Sequence, residues 1–121
     1  MTVSQIKTIT AFVADQDRAE RFYTEVLGFT VRADSRWGDK RWLEVGPGPE
    51  GTAIVLHEPF PGATAGGLAG VILETGDVDG VVARLRAAGA SVQDPEEMPW
   101  GRQATFADPD GNSFVLVKGA R

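Results

Sequence analysis

Apolar and polar positions along this chain follow one pattern written twice. A mostly apolar run at positions 6–12 precedes a stretch in which Ala19, Phe22, Tyr23, Val26 and Leu27 recur at i, i+3, i+4, i+7 and i+8. Arg18, Glu20, Arg21, Thr24 and Glu25 take the opposite face, so the spacing predicts a strand and then a helix with one buried stripe. Asp15 is placed to cap that helix and Gly28 to end it in the left-handed conformation that glycine adopts cheaply. About half a chain length later, positions 69–73 and the stripe Val78, Val81, Val82 and Leu85 repeat the arrangement, with Asp77 as cap and Gly89 as stop. Gly80 weakens the first turn of this second helix by ~1 kcal/mol.

After each helix come three further strand-like runs. In the first half these are positions 29–32, 41–45 and 52–57, separated by loops at 34–40 and at the glycine-rich 46–51. In the second half they are 91–93, 102–107 and 113–118, separated by a loop at 95–101 and the tight turn Asp108-Pro109-Asp110-Gly111-Asn112. Each half therefore reads βαβββ, and the fold class is α+β. The expected division is one domain of two modules, residues 1–58 and 68–121, joined by a linker at 59–67. A repeat near half the chain length means two units stacked on each other rather than a solenoid.

With 121 residues, 42% hydrophobic and 24% charged, neither half is large enough to stabilise itself, which favours a shared core. No run of about 18 apolar residues and no basic-then-apolar start is visible, so neither a membrane span nor a secretory signal is expected, and a cytoplasmic location is. The absence of cysteine removes disulfides, thiolate nucleophiles and Cys-ligated zinc. A net charge of -5 speaks against nucleic acid as a partner, because counterion displacement needs clustered Lys and Arg, and it suits a cationic ligand.

The duplicated strand-helix-three-strand unit, the helix motif Asp-x-x-x-x-Phe-Tyr-x-x-x-Leu-Gly-Phe from Asp17 to Phe29, and the Asp-Pro-Asp-Gly-Asn turn before the last strand together resemble the vicinal oxygen chelate superfamily. That group includes glyoxalase I, extradiol dioxygenases, and the fosfomycin- and bleomycin-resistance proteins. The resemblance covers about residues 6–118. It implies two curved mixed sheets around a cavity, a homodimer, and in catalytic members a divalent metal held by His or Gln from the first strand of each unit and a carboxylate from the last. Matched through the helix and the turn, those places fall at Thr8, Val55, Gly70 and Val115, none of which is a usual metal ligand. Shifting the match by one residue finds only Lys7, Ile9, Ile54, Leu56, Ala69, Val71, Phe114 and Leu116, most of them aliphatic. Divalent ions need imidazole, carboxylate or amide donors converging from several strands, so no metal is expected.

If those four places face inward, period-two alternation brings Thr10, Phe12, Ala53, His57, Ile72, Glu74 and Val117 to the same chamber. Trp37, Trp42 and Trp100 offer flat faces to a ligand or plug the ends of the barrel, and Arg102 offers a grip for an anion or is an ordinary strand-edge arginine. The expected ligand-binding set is Thr8, Thr10, Phe12, Trp37, Trp42, Val55, His57, Glu74, Trp100 and Arg102. His57, the one histidine, is either a cavity-facing group or a strand-end residue beside the linker. The function implied is sequestration of a small, partly aromatic molecule in the manner of bleomycin-resistance proteins, without a cofactor. The alternative is a lyase or dioxygenase whose Ni, Zn, Mn or Fe is displaced onto His57 with Glu44 or Glu74. A third possibility is a metal-independent enzyme with His57 or Glu74 as general base.

Overall fold

The computed structural model describes residues 2–119. Its strands are β1 (Thr8–Phe12), β2 (Thr30–Trp37), β3 (Lys40–Gly46), β4 (Ala53–His57), β5 (Val71–Thr75), β6 (Glu96–Met98), β7 (Gly101–Ala107) and β8 (Ser113–Lys118). Two helices interrupt them, α1 (Gln16–Arg21) and α2 (Val78–Ala87). They form two four-stranded mixed sheets of matching order, β1-β4-β3-β2 and β5-β8-β7-β6, in which the first strand of each half lies parallel to the last.

Both helices start where a side chain replaces the missing backbone partner. Asp15 accepts from the Arg18 N–H at 3.1 Å and Asp77 from the Gly80 N–H at 2.9 Å. The first helix does not stay regular to its end: Phe22–Val26 forms a π-helical turn. Thr24 donates its hydroxyl to the Glu20 carbonyl at 2.8 Å, and the Leu27 N–H reaches back five residues to the Phe22 carbonyl at 3.2 Å. The turn leaves two consecutive aromatics, Phe22 and Tyr23, both buried.

Several boundaries differ from the sequence expectation: β5, expected at 69–73, spans Val71–Thr75 and leaves Gly70 outside it, and the other differences concern the edge strands. Positions 34–37, expected in a loop, extend β2 as one arm of a hairpin that turns at Gly38 and Asp39. Asp34, Ser35 and Arg36 are polar on both faces, which reads as loop, yet this is an edge strand and needs no apolar outer row. Arg32 is the extra residue of a bulge between Val31 and Ala33, and its guanidinium ties the glycine-rich loop by bonds to the Glu50 and Gly51 carbonyls. In the second half the edge strand β6 lies inside the expected loop 95–101, whereas positions 91–93 contribute a single bridge, Val92 to Phe106.

One hydrophobic cluster spans both halves. Ala11, Val13, Leu43, Val45, Ile54 and Leu56 meet Phe22 and Tyr23 from the first half, and Val82, Leu85, Ala104, Phe106, Phe114 and Leu116 from the second. Phe106 stacks on Phe114 with ring centroids 5.4 Å apart, and Tyr23 meets Phe114 edge-on at 6.1 Å. Each of these buried rings contributes on the order of 2–3 kcal/mol of transfer free energy. The Asp-Pro-Asp-Gly-Asn segment is a turn, as expected, and it also joins the halves. Asp108 accepts the Tyr23 hydroxyl at 2.7 Å, Asp110 accepts the Ala14 N–H and Arg18, and Asn112 donates to the Phe12 carbonyl and accepts from the Leu68 N–H.

The expected enclosed chamber is not present within one chain. The two sheets are joined through their helix-bearing sides, no ladder connects β1 to β5, and the opposite face of each sheet stays open, so there is no closed barrel.

Candidate functional site

The strand pairings fix which side chains share the open face of the first sheet. Thr8 lies opposite Ala53, Thr10 opposite Val55, Phe12 opposite His57, and Glu44 opposite Val55, while the intervening Ala11, Leu43, Ile54 and Leu56 go to the core. Six of the expected ligand-binding residues, Thr8, Thr10, Phe12, Trp42, Val55 and His57, thus share one surface. Trp37, 56% exposed, lies on the same side at the tip of the β2–β3 hairpin.

Aromatic rings form a continuous wall across this face. Trp42 and His57 have centroids 5.9 Å apart, His57 and Phe60 4.8 Å, and Phe60 and Phe12 5.2 Å. Phe60, which sequence periodicity did not single out, comes from the segment after β4 and is half exposed over the sheet. Glu44 accepts the Trp42 indole N–H at 2.7 Å, which holds the indole in place, and the His57 Nδ1 lies 2.6 Å from the Glu58 carbonyl.

Over the second sheet, Ile72, Glu74, Trp100, Gln103, Val115, Val117 and Lys118 line a hollow of about 590 Å3. Trp100 and Ile72 are each 64% exposed, and the Trp100 indole donates to the Gln103 side chain at 2.8 Å. Gln103 was not anticipated, although alternation from Val117, its cross-strand partner, points to it. Arg102 does not join this hollow. It lies one residue out of phase and holds Asp79, in the first turn of the second helix, through two guanidinium nitrogens, with Glu97 as a further partner. Its hydrogen bonds hold the Asp79 carboxyl below the usual carboxylate range.

Arg41 also turns away from the open face. Buried to 8% exposure, it bonds Asp17, Glu20 and both oxygens of Asp34, and that hydrogen bonding, from Asp34 first, raises its pKa. Gln16 completes the tie by donating to the Arg41 and Leu56 carbonyls. This cluster fixes the first helix to the sheet from behind.

The donor set does not fit the metal that the resemblance implies. Val55 faces Thr10 and Val115 faces Ile72, pairs with at most one hydroxyl between them, and Gly70 has no side chain. His57 and Glu44 share a face, but among the described residues no three His, Cys, Asp or Glu side chains converge. No helix among them is long and apolar enough to cross a membrane.

Comparisons with known proteins agree with this architecture. An antibiotic binding protein, TnmS3 from Streptomyces sp. CB03234, has a structure that matches with a TM-score of 0.88 at 42% identity, covering 99% of both chains. A superfamily member from Sphaerobacter thermophilus DSM 20745 matches with a TM-score of 0.86 at 34% identity, covering 97% of this chain and 98% of that one. The uncharacterized protein YetH of Bacillus subtilis (strain 168) is 34% identical over 94% of this chain and 98% of its own length. The family model described as Glyoxalase/Bleomycin resistance protein/Dioxygenase superfamily matches residues 5–116, and with its paired βαβββ halves the chain belongs to that superfamily.

Proposed function

We propose that this protein sequesters a small, partly aromatic molecule without a metal ion, holding it against the open sheet faces and not transforming it. The observation that carries the reading is the chemistry of those faces. They present Trp42, Phe12 and Phe60 on one sheet and Trp100, Ile72, Val115 and Val117 on the other, interspersed with single polar groups, and among the described residues no three metal donors converge. A hollow of about 590 Å3 lies within the range of drug-sized ligand sites, which are largely apolar with a few placed polar groups. Similarity to a structure described as an antibiotic binding protein supports the same class of ligand, and the net charge of -5 favours cationic members of it.

The faces would close on a second copy. Trp37, Phe60, Ile72 and Trp100 are all at least half exposed, and apolar area of this kind concentrated on functional surfaces marks a site for covering. A homodimer is therefore part of the proposal, and sedimentation at micromolar concentration should give twice the mass of the 121-residue chain. The test of function is quenching of tryptophan fluorescence by a panel of aromatic and cationic antibiotics, on protein dialysed against chelator. Saturable quenching that survives chelation supports the reading. Quenching restored only by Ni, Zn, Mn or Fe would replace it with the metal-dependent alternative, and no response from any compound would sink it.

A further inference from the structure

The wall of rings on the first sheet contains one polar atom whose state is set by the backbone. The His57 Nδ1 lies 2.6 Å from the carbonyl oxygen of Glu58, and a carbonyl oxygen can only accept, so the neutral ring carries its proton on Nδ1. Nε2 is then a lone-pair acceptor, and among the described residues it has no hydrogen-bond partner. The ring cannot easily turn to change this, because Trp42 meets it at 62° on one side and Phe60 at 56° on another. Along the same face Glu44, with one carboxylate oxygen occupied by the Trp42 indole, also accepts, and the hydroxyls of Thr8 and Thr10 can accept as well as donate. Of the β3 cations, Arg41 points to the opposite side and is held there by Asp17, Glu20 and Asp34, and Lys40 lies on this side only at the hairpin tip, opposite Trp37.

Building on the proposed sequestration, we infer that the ligand is a planar aromatic compound bearing an O–H or N–H donor at its rim, of the phenol type, and that His57 Nε2 reads that donor while Trp42 and Phe60 hold the ring. The rings supply area without discrimination, since any π-system of the right size stacks on them. The imidazole supplies the choice, because an analogue without the donor leaves Nε2 facing an apolar surface with its hydration lost.

Because the chain has a single histidine, the first measurement is unambiguous. In a nitrogen-15 spectrum of histidine-labelled protein, Nδ1 should be of the protonated, pyrrole type and Nε2 of the pyridine type. A proton on Nε2 instead would overturn the inference before any ligand is added. The second measurement is calorimetric binding of 2-naphthol and of 2-methoxynaphthalene to the wild type and to His57→Phe, which keeps a ring between Trp42 and Phe60. The wild type should prefer the naphthol by about fivefold, the Nε2 resonance should shift with the naphthol alone, and His57→Phe should bind both compounds alike. Melting temperatures of both proteins check that the variant is folded, and a shift of Nε2 in the wild type stands even if it is not. Equal binding of the two compounds by the wild type, or a preference that survives in His57→Phe, refutes the role of His57 and leaves sequestration standing. Binding of neither compound counts against both.

Discussion

Removing the Tyr23 hydroxyl is the sharpest test of how the two halves hold together. That hydroxyl donates at 2.7 Å to Asp108, a residue 5% exposed, from a fully buried phenol. Asp108 also accepts from the Asp110 and Asn112 backbone N–H groups and from the Asn112 side chain, each at 2.9 Å. Tyr23→Phe leaves three of these four bonds and strands part of one oxygen where water has no access. A hydrogen bond to a charged acceptor contributes about 1.5–3 kcal/mol, and leaving the acceptor buried places the loss in that range. For 121 residues the unfolding entropy is about 0.25 kcal/mol/K, so the melting temperature should fall by about 6–12 °C. Calorimetry reads the shift, and a double-mutant cycle with Asp108→Asn assigns it, since Tyr23→Phe should cost less once the carboxylate is gone. Burial first, and then the neighbouring Asp108, push the phenol well above its ordinary pKa. The only tyrosine of the chain should therefore show no phenolate absorbance in alkali until the protein unfolds. A melting temperature within about 2 °C of wild type, together with ordinary tyrosine titration, would refute the buried tie.

Three further outcomes follow from other parts of the molecule. Arg41→Lys should lower stability by about 1–2 kcal/mol in urea unfolding, because an ammonium cannot serve Asp17, Glu20 and Asp34 from one planar fork; an unchanged midpoint would show that the cluster contributes nothing. Trp100→Ala should weaken binding of any quenching ligand about tenfold while moving the melting temperature by less than about 2 °C, since the side chain is 64% exposed; normal affinity would remove Trp100 from the site. Asp34 and Asp79 are held below the usual carboxylate range by Arg41 and Arg102, and Asp15 by the Arg18 backbone N–H. A depressed folded-state pKa stabilises above the unfolded value and is lost as pH falls through the folded one. Melting temperature should thus hold from about pH 7 to about pH 5 and decline below about pH 4, less steeply in about 1 M salt; a plateau down to about pH 2 would contradict it.

Much of the fold could be read in the chain because its signals are local. Asp15 and Asp77 cap the helices as expected, and Gly28 and Gly89 adopt φ of 76° and 79°, which stops each helix region where the pattern says. Alternation likewise placed Thr8, Thr10, Phe12, Val55 and His57 on one face, because a buried opposite row fixes the register. Edge strands carried no such row, so β2 past Ala33 and β6, with its Glu96-Glu97 pair, read as loops. The facing of Arg102 was not legible, since its partner Asp79 lies 23 residues earlier on the helix. Phe60 had no period to reveal it, and its place depends on two prolines in the linker and on packing against His57 and Phe12. The twofold role of Asp108 and Asn112, as turn and as bolt between halves, needed three dimensions to be seen.

The order in which strands meet has a consequence during synthesis. In each half the first strand pairs with the last, Thr8 with Ala53 and Val71 with Phe114, so neither sheet has its centre until most of that half has left the ribosome. Even then the early helix lacks the second-half partners that bury Tyr23, because Asp108 arrives 85 residues after it and Phe114 later still. Until then the amino-terminal half leaves Phe22 and Tyr23 open to water, and the second half withdraws them into the shared core.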